Sequence, residues 1–378
     1  MKKIILYMIG GLIGLLLILL IITRLTLGSG RNYPDLSTEP LYPASALEIV
    51  ATMDKPLGNP AVSAGGRIFF NLHPLAEPEG ATVFEWVDGK AVPYPDATYQ
   101  ENFFNVLGMF IDNQDRLWTL DNASLESTGT RLLAFDLDSS QVVHDHLFSN
   151  DFAFLNDLQV SPSGEKIFFS DPGLLFLKSP AIVVYDIASG ETRRLLEGHE
   201  SVKAQSWAVH GPAGDMWLLR GLIRFRLGID GIALSKDGDW LYFGGVTQDT
   251  LYRVPTEALL DPDLPAEALA GRVEAVGPKP LSDGFSIDLE NNVFITDVEH
   301  SGLARMAPDG ALQTLVRDER VRWADGISFG PDGAIYFTDS ALNVIFGLLP
   351  TADLAKVEAN APYHLFRFQS GVEGVPGG

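Results

Sequence analysis

The 378-residue chain contains no cysteine. This excludes disulfides, thiolate metal sites and a cysteine nucleophile. Basic residues are scarce as well, 27 Lys and Arg against 49 Asp and Glu, for a net charge of −22. Three of the basic residues (Lys2, Lys3, Arg24) and no acidic one fall in the first 30 positions, so the rest of the chain carries 24 basic against 49 acidic side chains. Such a surface repels phosphate backbones and speaks against nucleic acid as a partner; it attracts cations and cationic ligands. The sequence has no G-x-S-x-G elbow, no H-E-x-x-H pair, no Walker loop and no dinucleotide fingerprint, which removes the common serine-hydrolase, zinc-protease and nucleotide-binding classes. Long helical patterns are missing after the N-terminus, and short helices are expected only near 255–260 and 265–269.

One long hydrophobic run is present. Residues 4–23 carry no charge, and a helix of that length spans a hydrocarbon core of about 30 Å. A cleaved signal peptide is the competing reading, but its apolar part is usually about 7–15 residues. An uncleaved anchor over 1–27 is therefore expected. Lys2 and Lys3 precede the run and Arg24 and Arg31 follow it, nearly a tie by the positive-inside rule; the expectation is a single-pass protein with its domain on the periplasmic or extracellular side. Gly10 and Gly14 form a G-x-x-x-G pair, a weak dimerisation signal. The polar, proline-containing stretch 28–45 reads as a linker, and 371–378 as a flexible tail.

The stretch between, 46–370, repeats a phrase. Asp230-Gly231-Ile232-Ala233-Leu234-Ser235 leads through Lys-Asp-Gly into Trp240-Leu241-Tyr242-Phe243. Asp283-Gly284-Phe285 leads into Val293-Phe294-Ile295-Thr296-Asp297, and Asp325-Gly326-Ile327 into Ile335-Tyr336-Phe337-Thr338-Asp339. A fourth copy runs from Asn156-Asp157-Leu158 to Ser170-Asp171, and two divergent copies run from Gly58-Asn59 to Asn71 and from Asn105 to Asp121. Each copy reads as a strand, a tight turn and a returning strand, with β-branched and aromatic residues in the strands and Asp-Gly in the turns. Further strands lie between copies, so each unit has about four. Six such units predict an all-β, six-bladed β-propeller preceded by one N-terminal transmembrane helix. A β-sandwich would not repeat one phrase six times.

In a propeller the first strand of each blade lines the axis. Asn156, Asp230, Asp283 and Asp325 then begin four inner strands on one face, and Asn71, Asp121, Asp171, Asp297 and Asp339 end second strands on the same face. Clustered carboxylates cannot all ionise without a cation or shared protons. Oxygen ligands of this kind suit a hard divalent ion, Ca²⁺ first. The bland reading is that Asp in such turns only bonds neighbouring backbone amides.

The wording of the repeats resembles the bacterial branch of the yellow / major royal jelly protein family. The stretches that carry the likeness are GNPAVSAGGRIFFNLHP (58–74), LGMFIDNQDRLWTLDN (107–122), FLNDLQVSPSGEKIFFSD (154–171), DGIALSKDGDWLYFGGVTQDTLYRVPT (230–256), KPLSDGFSIDLENNVFITDVEHSGLARM (279–306) and RWADGISFGPDGAIYFTDSALN (322–343). The resemblance implies a six-bladed propeller related in fold to the gluconolactonase / senescence marker protein lactonases, which hold a divalent ion on the axis. It matches the lactonases' ion-holding Asn to Asn156 and their Asp to Asp230 or Asp283; together with the ring of strand heads, the expected metal set is Asn156, Asp230, Asp283 and Asp325. It departs in the first blade, where Gly58-Asn59-Pro60 replaces the Glu-Gly-Pro of those lactonases. The expected function is a lactonase-like hydrolase of a small molecule, with Asp283 as general base and His300 as a proton carrier at the rim. The alternative is a non-catalytic protein binding an amine or a dopachrome-type ligand, and a third reading is a scaffold for a protein partner.

Overall fold

The computed structural model describes residues 2–122, 129–149, 154–173, 178–212, 214–346 and 352–377. Six four-stranded antiparallel sheets follow one another along the chain. Blades I to V take their strands in chain order, inner to outer, with inner strands Leu57–Val62, Val106–Ile111, Leu158–Val160, Ile229–Leu234 and Phe285–Ile287. Blade VI starts from Ala324–Phe329, continues through Ala334–Asp339 and Tyr363–Gln369, and borrows its outermost strand, Glu48–Met53, from the N-terminal side. Glu48 pairs with Arg367 and Met53 with Tyr363. The ring is thus closed by backbone hydrogen bonds between the two ends of the domain, and no sheet edge is left open at the seam.

The strands are apolar on both faces because both faces are covered. Ile229–Leu234 and Ala334–Asp339 are buried at every position, whereas the outer strand Val142–Leu147 is largely exposed. Packing runs from blade to blade: Trp118, Leu120 and Leu132 of blade II form one cluster with Leu158, Phe169 and Tyr185 of blade III.

A recurring device closes the turn after the inner strand in blades I to V, blade VI having Gly330 at that position. Ser63 Oγ accepts from Arg67 N, Asp112 Oδ1 from Arg116 N, Ser161 Oγ from Lys166 N, Ser235 Oγ from Trp240 N and Asp288 Oδ1 from Asn292 N. The repeated Ser or Asp of the phrase thus serves as turn acceptor.

Three segments differ from the sequence reading or were not foreseen. The stretch 28–45 is packed against the propeller: Tyr42 N donates to Leu315 O, Thr38 N to Thr314 Oγ1, and Tyr33 Oη to Lys279 O. The tail beyond residue 370, expected to be free, crosses the face where the inner strands end. Leu289 N donates to Glu373 O, Val375 N to Ile287 O and Ile111 N to Gly377 O. The third segment, between blades III and IV, is an insertion of short strand pairs, His210–Gly211 with Gly214–Asp215 and Trp217–Leu218 with Ile223–Arg224. The N-terminal helix Lys2–Thr26 is long and apolar enough to cross a membrane, and none of its residues from Tyr7 to Thr26 is buried against the propeller.

Candidate functional site

The blade register places one residue per blade at the head of each inner strand, in the order Gly58, Leu107, Asn156, Asp230, Asp283, Asp325. The polar residues therefore occupy blades III to VI and leave blades I and II bare. The next position is glycine in four blades because the neighbouring blade comes close. A Cβ on Gly231 would lie 2.5 Å from Asp283 O, on Gly284 2.5 Å from Asp325 O, on Gly108 2.3 Å from Asn156 O, and on Gly326 2.2 Å from Asn59 Oδ1. The two other blades carry polar residues at that position, Asn59 in blade I and Asp157 in blade III, and so add a fifth and a sixth polar side chain to the axis. The sequence reading counted Asn156 and passed over Asp157; alignment to the glycine column would have shown it.

Asn156 Nδ2 donates to Asp230 Oδ1. The carboxyls of Asp230 and Asp283 share a hydrogen bond, and Trp323 Nε1 donates to Asp283 Oδ2. Asp325 is buried and its Oδ2 has no hydrogen-bond partner; the nearest basic atom is His73 Nε2 at 3.8 Å. An axial cavity of about 20 Å³ lies beside Asp157, lined also by Asn59, Gly284 and Gly326. That is room for one water-sized occupant.

All four carboxyls bind protons more tightly than usual. Burial, then repulsion from Asp283, pushes Asp157 up to about 8 and Asp325 well above the carboxylate range. Asp230 is raised by burial and by Asp283 and Asp157. Asp283 is raised by burial against the opposing pull of Trp323, Asp230 and Lys279. Lys279 is a fully buried lysine that the sequence reading did not single out. Its Nζ donates to Gly245 O, Pro280 O and Ser282 Oγ at 2.9, 3.1 and 2.7 Å. Burial pulls its pKa down to about 7, against the field of Asp249 and Asp230. Blade IV ends its second strand in Gly244-Gly245 where blades II, III, V and VI have Asp; a Cβ on Gly244 would sit 2.6 Å from Lys279 Cε.

His73 is buried, which lowers its pKa to about 4. Its Nδ1 accepts from Leu75 N, so the neutral ring carries its proton on Nε2, the atom facing Asp325. His300 is placed elsewhere: its Nδ1 contacts Asp297 Oδ1 at 3.0 Å, and its Nε2 lies 3.4 Å from Asp35. The Asp297 hydrogen bond raises its pKa.

The residues that end second strands are backbone acceptors. Asp121 accepts from Phe104 N and Asn105 N, Asp339 from Arg322 N and Trp323 N, Asn71 from Asn59 N, and Asp297 from His300 N. Asp171 and Asp339 also pair with Arg194 and Arg322. This class builds the loops that carry the first.

The model of the major royal jelly protein family matches residues 105–348. The chain belongs to this family. No curated protein matches the sequence. Similar solved structures include a putative gluconolactonase (14% identity, 93% of this chain and 99% of that one, TM-score 0.54). Another is a gluconolactonase from Xanthomonas campestris (16%, 85% and 89%, TM-score 0.54). A third is regucalcin from Agrobacterium tumefaciens, a calcium-binding protein (16%, 89% and 97%, TM-score 0.55). At these identities the likeness is one of fold.

As a site for a divalent ion, the royal jelly propeller's axis fits by donor chemistry. Its side chains present carboxylate and amide oxygens, the kind Ca²⁺ takes, and one of them, Asp325 Oδ2, is buried without a partner. Among the described residues no three His, Asp or Glu side chains already surround one point as ligands. The Asn156–Asp230 and Asp230–Asp283 hydrogen bonds occupy oxygens that an ion would take.

Proposed function

We propose that this protein is a membrane-anchored, divalent-cation-dependent hydrolase of lactones or related esters, working at the axial carboxylate cluster. The observation that carries the reading is the gathering of Asp157, Asp230, Asp283 and Asp325 on the axis, each with raised proton affinity, around an oxygen that nothing satisfies. Asn156, Asp230, Asp283 and Asp325 would hold the ion, with Ca²⁺ the first candidate. A divalent ion in such a site polarises an ester carbonyl and acidifies a bound water.

The chain's own groups have distinct parts in this reading. Asp283 is engaged by Trp323 and Asp230, which favours positioning over proton transfer. Asp157, beside the axial cavity, takes the base role first assigned to Asp283, since a base is most effective with a pKa near the working pH. His73, neutral with its proton on Nε2, is the hydrogen-bond donor at the Asp325 side. It replaces His300, whose ring is held by Asp297 and Asp35. The apolar helix anchors the domain, placed by this reading on the extracytoplasmic side, which protease access in intact cells would test.

The test is hydrolysis of a panel of γ- and δ-lactones and aryl esters by the full chain, after chelation and after reloading with Ca²⁺, Mg²⁺ or Mn²⁺. The reading expects turnover that chelation removes and one of the ions restores. It also expects a loss of about 10²-fold or more in Asp157→Asn with little change in His300→Gln. Turnover untouched by chelation, or none on any substrate with the ion bound, would count against it.

A further inference from the structure

The end of the apolar helix is docked, within two residues, on the face that carries the carboxylate cluster. Leu27 O accepts from Arg224 N at 3.0 Å. The guanidiniums of Arg24, in the last helical turn, and Arg224 both lie over the Trp217 ring, 4.4 and 3.8 Å from its centroid. Arg226 Nη2 donates to Ser29 O. Arg31–Asn32 then pairs in parallel with Trp207–Ala208, and Arg31 lies 4.1 Å over the Trp207 ring. Tyr33 follows, edge-on to Trp207, with its hydroxyl on the backbone of Lys279. The partners Trp207, Trp217, Arg224 and Arg226 all belong to the insertion between blades III and IV.

These contacts leave no slack. A free tether of the length of 28–45 would let the propeller tumble below the bilayer, but here the chain is bound to the domain from Leu27 onward. The insertion lies on the face where inner strands begin, because the fourth strand of blade III ends there and Asp230 opens the next blade there. The same face holds Asp283 and its Trp323. An apolar layer joins the two: Val209, Met216, Leu281, Trp323 and Leu342 form one buried cluster, with Trp207 and Tyr33 packed against it. The composition next to the helix is also distinct. Arg24, Arg31, Arg224 and Arg226 gather with two tryptophans in a chain of net charge −22, and Trp and Arg are residues that favour the headgroup region.

We propose that the insertion and the juxtamembrane segment seat the carboxylate-bearing face on the bilayer surface, with the opposite face, crossed by the C-terminal segment, pointing away. The partner is an anionic lipid interface. The proposal rests on the anchor reading, and the experiment separates the two.

The full chain is reconstituted into phosphatidylcholine–phosphatidylglycerol vesicles. Since the chain has no cysteine, one introduced thiol gives one label. Ala204→Cys marks the insertion side and Ala311→Cys the far turn of blade V, both at exposed positions. Six-residue strands separate the two faces by about 20 Å. Energy transfer from the label to acceptor lipids is expected to be severalfold stronger from position 204 than from 311. Adding Trp217→Ala and Arg224→Ala should shrink that ratio while the protein stays in the vesicles and keeps its β-sheet spectrum. Equal or reversed transfer from a protein that resists alkaline carbonate overturns the proposal and leaves the anchor standing. Release by carbonate overturns the anchor, and the proposal with it.

Discussion

Asp339 and Asp325 are both buried carboxylates of blade VI, and substitution should separate their roles. Asp339 accepts two backbone N–H groups and pairs with Arg322. Asp339→Ala leaves those donors and a mostly buried guanidinium unpaired, a loss of about 3–5 kcal/mol, to be read by urea unfolding. Asp325 has an oxygen with no partner and is repelled by Asp283 and Asp157. Asp325→Asn should therefore stabilise the chelated protein at neutral pH while weakening its hold on a divalent ion. A destabilised Asp325→Asn would mean the carboxylate is structural after all. Position in the phrase was legible in the sequence for both residues, but burial and partner were not: Asp at a strand head and Asp at a strand end look alike until the backbone donors are seen. Lys279 was illegible for the same reason, since a lone lysine gives no sign that three oxygens enclose it.

At the level of strands and turns, the sequence carried most of the blade. Inner and second strands, their turn and the glycine that follows the strand head in four of the six blades are all written in the repeated phrase, the glycines because close blade-to-blade approach demands them. The closing strand Glu48–Met53, the insertion and the C-terminal segment do not repeat, and only long-range pairing reveals them. That segment is fitted by glycine: a Cβ on Gly374 would fall 2.0 Å from the Phe329 ring, and one on Gly377 1.8 Å from Ile111 O. Gly374→Ala should lower stability by about 1–3 kcal/mol through overpacking, seen as a reduced thermal midpoint. An unchanged midpoint would show the segment to be loosely held. Gly244→Ala, which drives a Cβ into the locked Lys279 side chain, belongs to the same class.

For the molecule as a whole, the axial cluster couples stability to pH and to cations. Asp157 titrates near 8 when folded against 3.8 as a free group, so its proton contributes stability that is full below about pH 4 and lost as pH rises through about 8. Lys279 is drawn from 10.5 to about 7, so its burial penalty is present below about pH 7 and fades as pH rises toward 10.5. Between about pH 4 and 7 the Lys279 contribution is therefore nearly flat, while buried His73, drawn from 6.5 down to about 4, adds stability as pH rises through the same window and opposes the carboxylate slope in both parent and variant. In chelator, Asp157→Asn should gain thermal stability over the parent as pH rises through this range; saturating Ca²⁺ should abolish the gain, since the ion then does what protons did. A gain that persists with Ca²⁺ would place the ion elsewhere. The most direct measurement is titration calorimetry of Ca²⁺ into the chelator-stripped full chain, beside Asp230→Asn. The account predicts one saturable site in the parent protein and its loss in Asp230→Asn. No bound ion in the parent, or equal binding in the two, would contradict the axial site on which the proposed chemistry depends.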